Sequence, residues 1–471
     1  MNKLLKNWSY LLLSDISQSV INFFVFMLLA RKLTPVGYGE FNVILAIVAI
    51  FSVVATNLGA NHVITREVTL HPDNTKGICY NVIPLRLIAL AIAFLGVFVY
   101  IVCGKGVSFS SSFYIFILIF ATSVWDFAES VAFGRLVTKY TTFFNLSFSC
   151  SWLLFVLFLP ESYFSIEVVL VIYSLLFVCK SIGYLGRSCE KFVKTTLPVI
   201  SLTKRSLFMM SLPYLWMRVF GIFGEQIPIL ILNNKCGTDQ VGYFSVGFRL
   251  IIPITIAINT GLRAVFPFMT RAYTEDPKLF SEKLIKVFTF VMIWGTLVAG
   301  ILVLFSEYWI PFFLGKSYLN SIDAFNYLAW FGVGMCFDLL LSTLLSSTYK
   351  QKILAAITTI DFFIVIAFLY WGAQYGAIGL ALAKLLSMLF ILGYHIIVVC
   401  KVFNMSIRNR NFIISLVVYL FAMSVTLFIS LFILKLLLFI LPFLVVGFIP
   451  NNPIRQCIVA VSYTHLTLPT T

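Results

Sequence analysis

The sequence predicts an all-α membrane protein that crosses the bilayer many times. Of its 471 residues, 61% are hydrophobic and only 11% are charged, whereas soluble domains carry about 25% charged residues. Apolar runs of about 20 residues recur along the chain, and each is long enough to cross a hydrocarbon core of about 30 Å as a helix. The strands of a membrane barrel would instead alternate apolar and polar residues over about 10 positions. The mean hydropathy of +1.02 agrees with this class.

The apolar runs predict twelve core helices and one or two more at the C-terminal end. The first run is too long for a cleaved signal and contains the polar residues Asp15, Gln18 and Asn22. A segment at 436–449 is short and contains Pro442, which leaves its status open. The predicted helices lie at roughly 8–30, 41–61, 84–103, 113–134, 142–159, 166–186, 207–232, 245–268, 287–309, 324–347, 353–372, 376–400 and 412–434.

The distribution of Lys and Arg predicts the orientation. With the N-terminus in the cytoplasm, the loops up to residue 410 hold 20 Lys and Arg inside and 5 outside, as the positive-inside rule requires. The net charge of +15 is therefore spread along one membrane face. A nucleic-acid site would gather that charge into a patch, so no nucleic-acid partner is expected.

Sequence motifs for catalysis or metal binding are missing. The nine cysteines form no CxxC pair and mostly lie in or beside apolar runs, where they act as small buried hydrophobes. The four histidines are scattered and form no HExxH motif. We therefore predict no catalytic residues and no metal site. No stretch between helices exceeds about 25 residues, so a separate soluble catalytic domain is not expected.

A weak internal repeat divides the chain into two halves. At an offset of 205 residues, Val36-Gly37-Tyr38 matches Val241-Gly242-Tyr243, and seven of 31 consecutive positions are identical. At an offset of 212, Asp126 matches Asp338. Because six helices per half is an even number, the halves are parallel repeats, and such repeats place the bound molecule between them. The predicted domains are 1–200, 201–400, a C-terminal region 401–461 with a truncated last helix, and a non-native tail at 462–471.

Four motifs in order carry a family resemblance. The segments ARKLTPVGYGEFNV (30–43), VGYFSVGFRL (241–250), IPFFLGKSY (310–318) and YGAIGLALAKLL (375–386) resemble motifs of the Wzx-type O-antigen and capsule repeat-unit flippases. The resemblance covers residues 1 to about 400. Thr34 stands where the family pattern has Gly, and Gly247 stands where it has Ala. In the first motif we expect a tight outer turn that Gly37 and Gly39 allow and Pro35 stiffens, with Tyr38 at the membrane interface.

The resemblance implies a function and a location. It implies two six-helix lobes like those of MATE transporters, in the bacterial inner membrane. The implied cargo is an undecaprenyl-pyrophosphate-linked oligosaccharide, moved from the cytoplasmic to the periplasmic leaflet without enzyme chemistry. A polysaccharide polymerase and a chain-length regulator are the implied protein partners. A MATE-like drug or cation antiporter and a lipid II flippase remain as alternatives, and a membrane-embedded polymerase is a weaker one.

Cations inside the predicted spans are candidate ligands for a pyrophosphate, because a guanidinium fork binds phosphate oxygens bidentately. Arg218, Arg249 and Arg263 are the predicted pyrophosphate-binding residues. Arg249 and Arg263 fall about 40° apart on one face of a helix. Arg218 has an alternative role in an ion pair with Glu225 or Asp15. Two further cations, Arg86 and Lys180, lie near predicted helix ends, where we expect them to snorkel to the interface.

Carboxylates inside the spans are candidates for H⁺ or Na⁺ coupling, since a charge within the membrane faces a cavity or a partner. The pair Asp126 and Glu129 shares one helical face, and the alternative is pairing with Arg135 or a cation of a neighbouring lobe. Asp361 is expected to be isolated in its helix. The candidate coupling residues are Asp126, Glu129, Asp338 and Asp361. The candidate cavity residues are Asp15, Gln18, Asn22, Glu225 and Lys384. No cofactor other than a coupling ion is expected.

Overall fold

The structure is a computed structural model in which every regular element is a helix. It describes residues 2–57, 61–103, 109–135, 137, 139–190, 204–252, 273, 277–348, 350–403 and 409–448. These residues contain no strand, which confirms the predicted fold class. The helices are α1 (Asn2–Asn57), α2 (Asn61–Leu70), α3 (Thr75–Cys103), α4 (Phe109–Gly134), α5 (Lys139–Phe158), α6 (Ile166–Glu190), α7 (Lys204–Cys236), α8 (238–252), α9 (Pro277–Leu304), α10 (Ser306–Leu314), α11 (Ile322–Ser347), α12 (Gln351–Gly372), α13 (Gly376–Val402), α14 (Arg410–Phe428) and α15 (Phe432–Phe448).

The helices occur in the predicted order. Among the described residues, nine stretches are long and apolar enough to cross a membrane, and Ser17–Thr56 and Lys352–Val402 are each long enough to do so twice. Of the segment at 436–449, residues 436–448 belong to α15, a helix of 17 residues with Pro442 inside it. The truncated helix predicted just before residue 461 and the tail at 462–471 both lie outside the described residues.

The chain forms two compact units, Met1–Gly242 and Tyr243–Thr471. In the first, α1 packs against α3, α4, α5 and α7, and α4 packs against α6. In the second, α11 packs against α9 and α13, while α14 packs against α9. The buried Trp330 of α11 donates its indole N–H to Thr426 Oγ1 of α14 at 3.0 Å, which makes the thirteenth predicted helix part of this core. The predicted domain boundary at 200 lies outside the described residues and stays a prediction.

The turn within α1 lies at Thr34, not at the glycines. Thr34 has φ 61° and ψ 170°, and it is the one non-glycine residue with positive φ in the described part of the chain. Pro35 imposes the extended ψ on its predecessor, but the positive φ is a conformation that glycine alone adopts easily. Tyr38 is 1% exposed and packs on Phe26 with ring centroids 5.8 Å apart. The expectation that it faces the membrane interface is therefore wrong.

Replacing Thr34 by Gly is expected to stabilise the protein. The backbone strain at this position costs about 1–3 kcal/mol, and glycine's extra freedom in the unfolded chain offsets about 0.5–1 kcal/mol of the gain. Because Thr34 is exposed, little packing is lost. We expect a higher melting temperature in detergent micelles. The matched variant Thr359→Gly, in the regular helix α12, should melt lower, and a lower melting temperature for Thr34→Gly would contradict the strain.

The two copies of the repeated motif meet at their glycines. A Cβ atom at Gly39 of α1 would collide with the carbonyl oxygen of Thr238 and lie 2.9 Å from the backbone nitrogen of Gly242. A Cβ atom at Gly242 would collide with the carbonyl oxygen of Pro35. Gly237, with φ 96°, makes the turn between α7 and α8. The kink of α1 and the start of α8 are therefore in backbone contact within the first unit.

Candidate functional site

A buried polar cluster lies in the first unit, where α2, α3 and α4 meet. Arg86 of α3 is 6% exposed and donates from Nη1 to the carbonyl oxygen of Ser123 at 2.8 Å. Its Nη2 donates to Asn61 Oδ1, and Asn61 Nδ2 donates to Asp126 Oδ2 at 3.4 Å. The Asn61 amide thus links a guanidinium to a carboxylate. A buried charge is tolerated when it is paired and hydrogen-bonded in this way.

Lys180 of α6 joins the same cluster. Its ammonium lies 3.8 Å from the centre of the Trp125 ring and 5.1 Å from that of Phe148, which are favourable cation–π distances. It also interacts electrostatically with Glu129 and Asp126. The prediction that Arg86 and Lys180 snorkel to the interface is therefore wrong, because both turn toward groups inside the unit.

Arg218 is a third cation whose charge acts on the cluster. It lies on α7, is exposed, and acts electrostatically on Asp126 together with Arg86 and Lys180. No ion pair joins it to Glu225, although the structure describes both residues. Arg135, which the sequence also offered as a partner for the carboxylates, donates to Thr75 Oγ1 at 3.0 Å. The cluster therefore sets three cations against the two carboxylates Asp126 and Glu129.

A second polar cluster lies in the second unit, where α11, α12 and α13 meet. The His395 ring is fully buried, with Nδ1 3.4 Å from Asp338 Oδ1 and Nε2 3.2 Å from Asp361 Oδ1. Tyr394 donates its hydroxyl to Asp361, and that hydroxyl lies 3.0 Å from His395 Nε2. Asp361 is therefore not isolated, and the expectation that it would be is wrong.

Sequence reasoning missed His395 and Tyr394. The available signal was a histidine within a long apolar helix, where a titratable group needs a partner. Its two partners come from different helices, so the spacing within one helix could not show the cluster. The repeat did give a clue, since Asp126 and Asp338 match at an offset of 212. Each aspartate belongs to the cluster of its own unit.

The other predicted residues are distributed over both units. Lys384 of α13 is 6% exposed and lies over the rings of Phe248 and Phe331, at 4.8 and 5.2 Å. Arg249 of α8 is half-buried in the second unit. Gln18 is half-buried in α1, while Asn22 and Glu225 are exposed. Arg263 and the side chain of Asp15 lie outside the described residues.

The fold and the clusters define a class of protein: a multi-pass helical membrane protein with ionisable groups inside both units. The chain belongs to the family described as "Polysaccharide biosynthesis protein", whose model matches residues 4–273. It is 21% identical over 396 residues to the capsular polysaccharide biosynthesis protein CapF of Staphylococcus aureus, covering 82% of this chain and 96% of CapF.

Two solved structures share the fold. The lipid II flippase MurJ in an inward closed conformation has a TM-score of 0.66 and 15% identity, with 92% of this chain and 96% of MurJ covered. An inward-facing multidrug resistance MATE family transporter of the MOP superfamily has a TM-score of 0.64 and 14% identity, with 83% of this chain and 96% of that chain covered. At these identities the likeness concerns the fold. It confirms the predicted MATE-like architecture of helices.

Proposed function

We propose that this protein is a flippase that moves undecaprenyl-pyrophosphate-linked oligosaccharide repeat units from the cytoplasmic to the periplasmic leaflet. The observation that carries the proposal is the surplus of cations around Asp126 in a chain of the polysaccharide biosynthesis family. A lipid-linked diphosphate is anionic and must cross a medium in which unpaired charge is costly. Cations held inside the protein supply the counter-charge for that crossing.

The three cations take different parts in this proposal. Arg218 is exposed on α7 and can reach an incoming diphosphate, which a guanidinium binds bidentately. Arg86 is fixed by Ser123 and Asn61, so it contributes a constant positive field. Lys180 is held over Trp125 and offsets part of the negative charge of Asp126 and Glu129, which would otherwise repel the cargo. In the second unit, Arg249 is the candidate ligand that receives the anion.

The cargo moves by alternating access in this proposal. The binding site opens first to one side of the membrane and then to the other, and an ion gradient supplies the driving force. The protein acts as a carrier rather than as an enzyme. The 20 Lys and Arg in the inside loops, against 5 in the outside loops, support a cytoplasmic N-terminus. The family resemblance supports the bacterial inner membrane as the location. A polysaccharide polymerase and a chain-length regulator are the proposed partners that use the delivered units.

Complementation tests the role of the cations. In a flippase-null strain supplied with known repeat units, Arg218→Ala and Arg249→Ala are expected to abolish surface polysaccharide. Arg218→Lys should restore part of it, since lysine keeps the charge but loses the bidentate fork. Arg31→Ala removes an exposed arginine at the α1 turn and serves as the control, with full activity expected.

Two outcomes would contradict the proposal. Full complementation by both alanine variants would show that Arg218 and Arg249 do not bind the cargo. Failure of the wild-type protein with every repeat unit, despite insertion into the membrane, would instead favour a drug or cation antiporter.

A further inference from the structure

We infer that His395, Asp338, Asp361 and Tyr394 form a proton-binding site centred on the imidazole and selective against sodium. The inference rests on the proposed transport function, for which it names the coupling ion. Its first basis is geometry. Each ring nitrogen of His395 faces the carboxylate of a different helix, at 3.4 Å for Asp338 on α11 and 3.2 Å for Asp361 on α12.

A ring between two carboxylates is satisfied when it carries two protons. A neutral imidazole has one N–H donor and one nitrogen lone pair, so one of its nitrogens would direct a lone pair at a carboxylate oxygen. Nδ1 is buried and has no hydrogen-bond partner among the described residues. A proton on this nitrogen would be attracted by the Asp338 carboxylate, whose Oδ1 lies 3.4 Å away. The protonated ring thus connects α11, α12 and α13, while loss of a proton breaks one of the two connections.

The charge balance leads to the same conclusion. The described groups that act on the cluster are Asp338 from α11, Asp361 from α12, and Tyr394 and His395 from α13. No Lys or Arg is among them. Two carboxylates inside a membrane protein need compensating positive charge, and among the described groups the protonated ring supplies one such charge. Interacting sites of this kind take up and release protons as a set.

The ligand set is poorly suited to sodium. Hard cations bind groups of oxygen ligands, whereas here an imidazole lies between the carboxylates. The Tyr394 hydroxyl, which could add an oxygen, donates its proton to Asp361, and its oxygen lies 3.0 Å from His395 Nε2. Histidine is also the side chain whose ordinary charge change falls between about pH 5 and pH 8. A proton released on one side of the membrane and bound on the other would bias α11, α12 and α13 between two arrangements.

Nuclear magnetic resonance of ¹⁵N-histidine-labelled full-length protein in liposomes tests the site directly. The ring signal that disappears in His395→Gln should show two protonated nitrogens at low pH and lose one proton as the pH is raised. Replacing potassium by sodium at constant pH should leave it unchanged. Tyr394→Phe keeps the ring in place and is expected to shift the Nε2 signal but not the Nδ1 signal, which gives a readout even if His395→Gln fails to fold.

A transport assay in the same liposomes tests the coupling. An imposed pH gradient should accelerate flipping of a lipid-linked oligosaccharide by the wild type and by His71→Gln, which changes an exposed histidine. The acceleration should be lost in His395→Gln. A ring that stays singly protonated across the pH range, a signal that moves with sodium, or acceleration that survives in His395→Gln would overturn the inference. If the wild type moves no cargo but the ring titrates as described, the flippase proposal fails and the proton site stands.

Discussion

Gly39→Ala is expected to destabilise the protein strongly and to abolish complementation. The added Cβ would collide with the carbonyl oxygen of Thr238 and would lie 2.9 Å from the backbone nitrogen of Gly242. Both neighbours are backbone atoms, so no side chain can rotate away, and α1 must move from the start of α8. Overpacking of this kind costs about 1–3 kcal/mol, and the rigid neighbours favour the upper end. Thermal unfolding in detergent and complementation measure the two effects.

Gly37→Ala provides a control two residues away with the opposite expected sign. There the new Cβ would meet the Leu33 side chain at 3.4 Å or more, which is an ordinary contact. Alanine in a helix is more stable than glycine by about 0.5–1 kcal/mol, so Gly37→Ala should melt at a slightly higher temperature and stay active. Equal melting temperatures for the two alanine variants would contradict the close approach of α1 and α8.

The sequence predicted where the chain is helical more reliably than what its polar groups contact. Apolar runs placed the helices in the correct order because crossing the membrane imposes a minimum length. Thr34 stands where the family pattern has Gly, and it is at this position that the structure has a positive φ and the turn of α1. The flanking glycines proved to serve different purposes: Gly39 allows a close approach, while Gly37 lies in the helix.

The errors at the polar groups have two physical causes. Helix α3 begins at Thr75, nine residues before the predicted start at 84, so Arg86 lies well inside the helix instead of at its end. This is why its guanidinium bonds Ser123 and Asn61 inside the unit instead of reaching the membrane interface. The second cause is that Asp361 and His395 meet across two helices. Periodicity identifies the face of one helix, but it does not tell which faces of different helices come together.

Arg86→Met is the second substitution with a large expected effect. It removes the guanidinium that bonds Ser123 and Asn61 and leaves the half-buried Asp126 with one cation fewer. Removing one member of a buried charged network costs about 3–5 kcal/mol. We expect a much lower melting temperature or loss of the protein from the membrane. Arg86→Lys should recover part of the stability, because lysine restores the charge but not the two bonds made by separate nitrogens.

The double variant Arg86→Met/Asp126→Asn separates the structural from the functional role of the cluster. It removes one charge of each sign, so its loss of stability should be smaller than the sum for the single variants, since residues in one network do not behave additively. If the stability losses of the two single variants simply add, Arg86 and Asp126 do not stabilise each other. If the double variant is folded but does not complement, the cluster contributes positive field to the cargo path. If it is folded and fully active, Arg86 serves only to hold α2, α3 and α4 together, and the counter-charge for the diphosphate must come from Lys180 and Arg218.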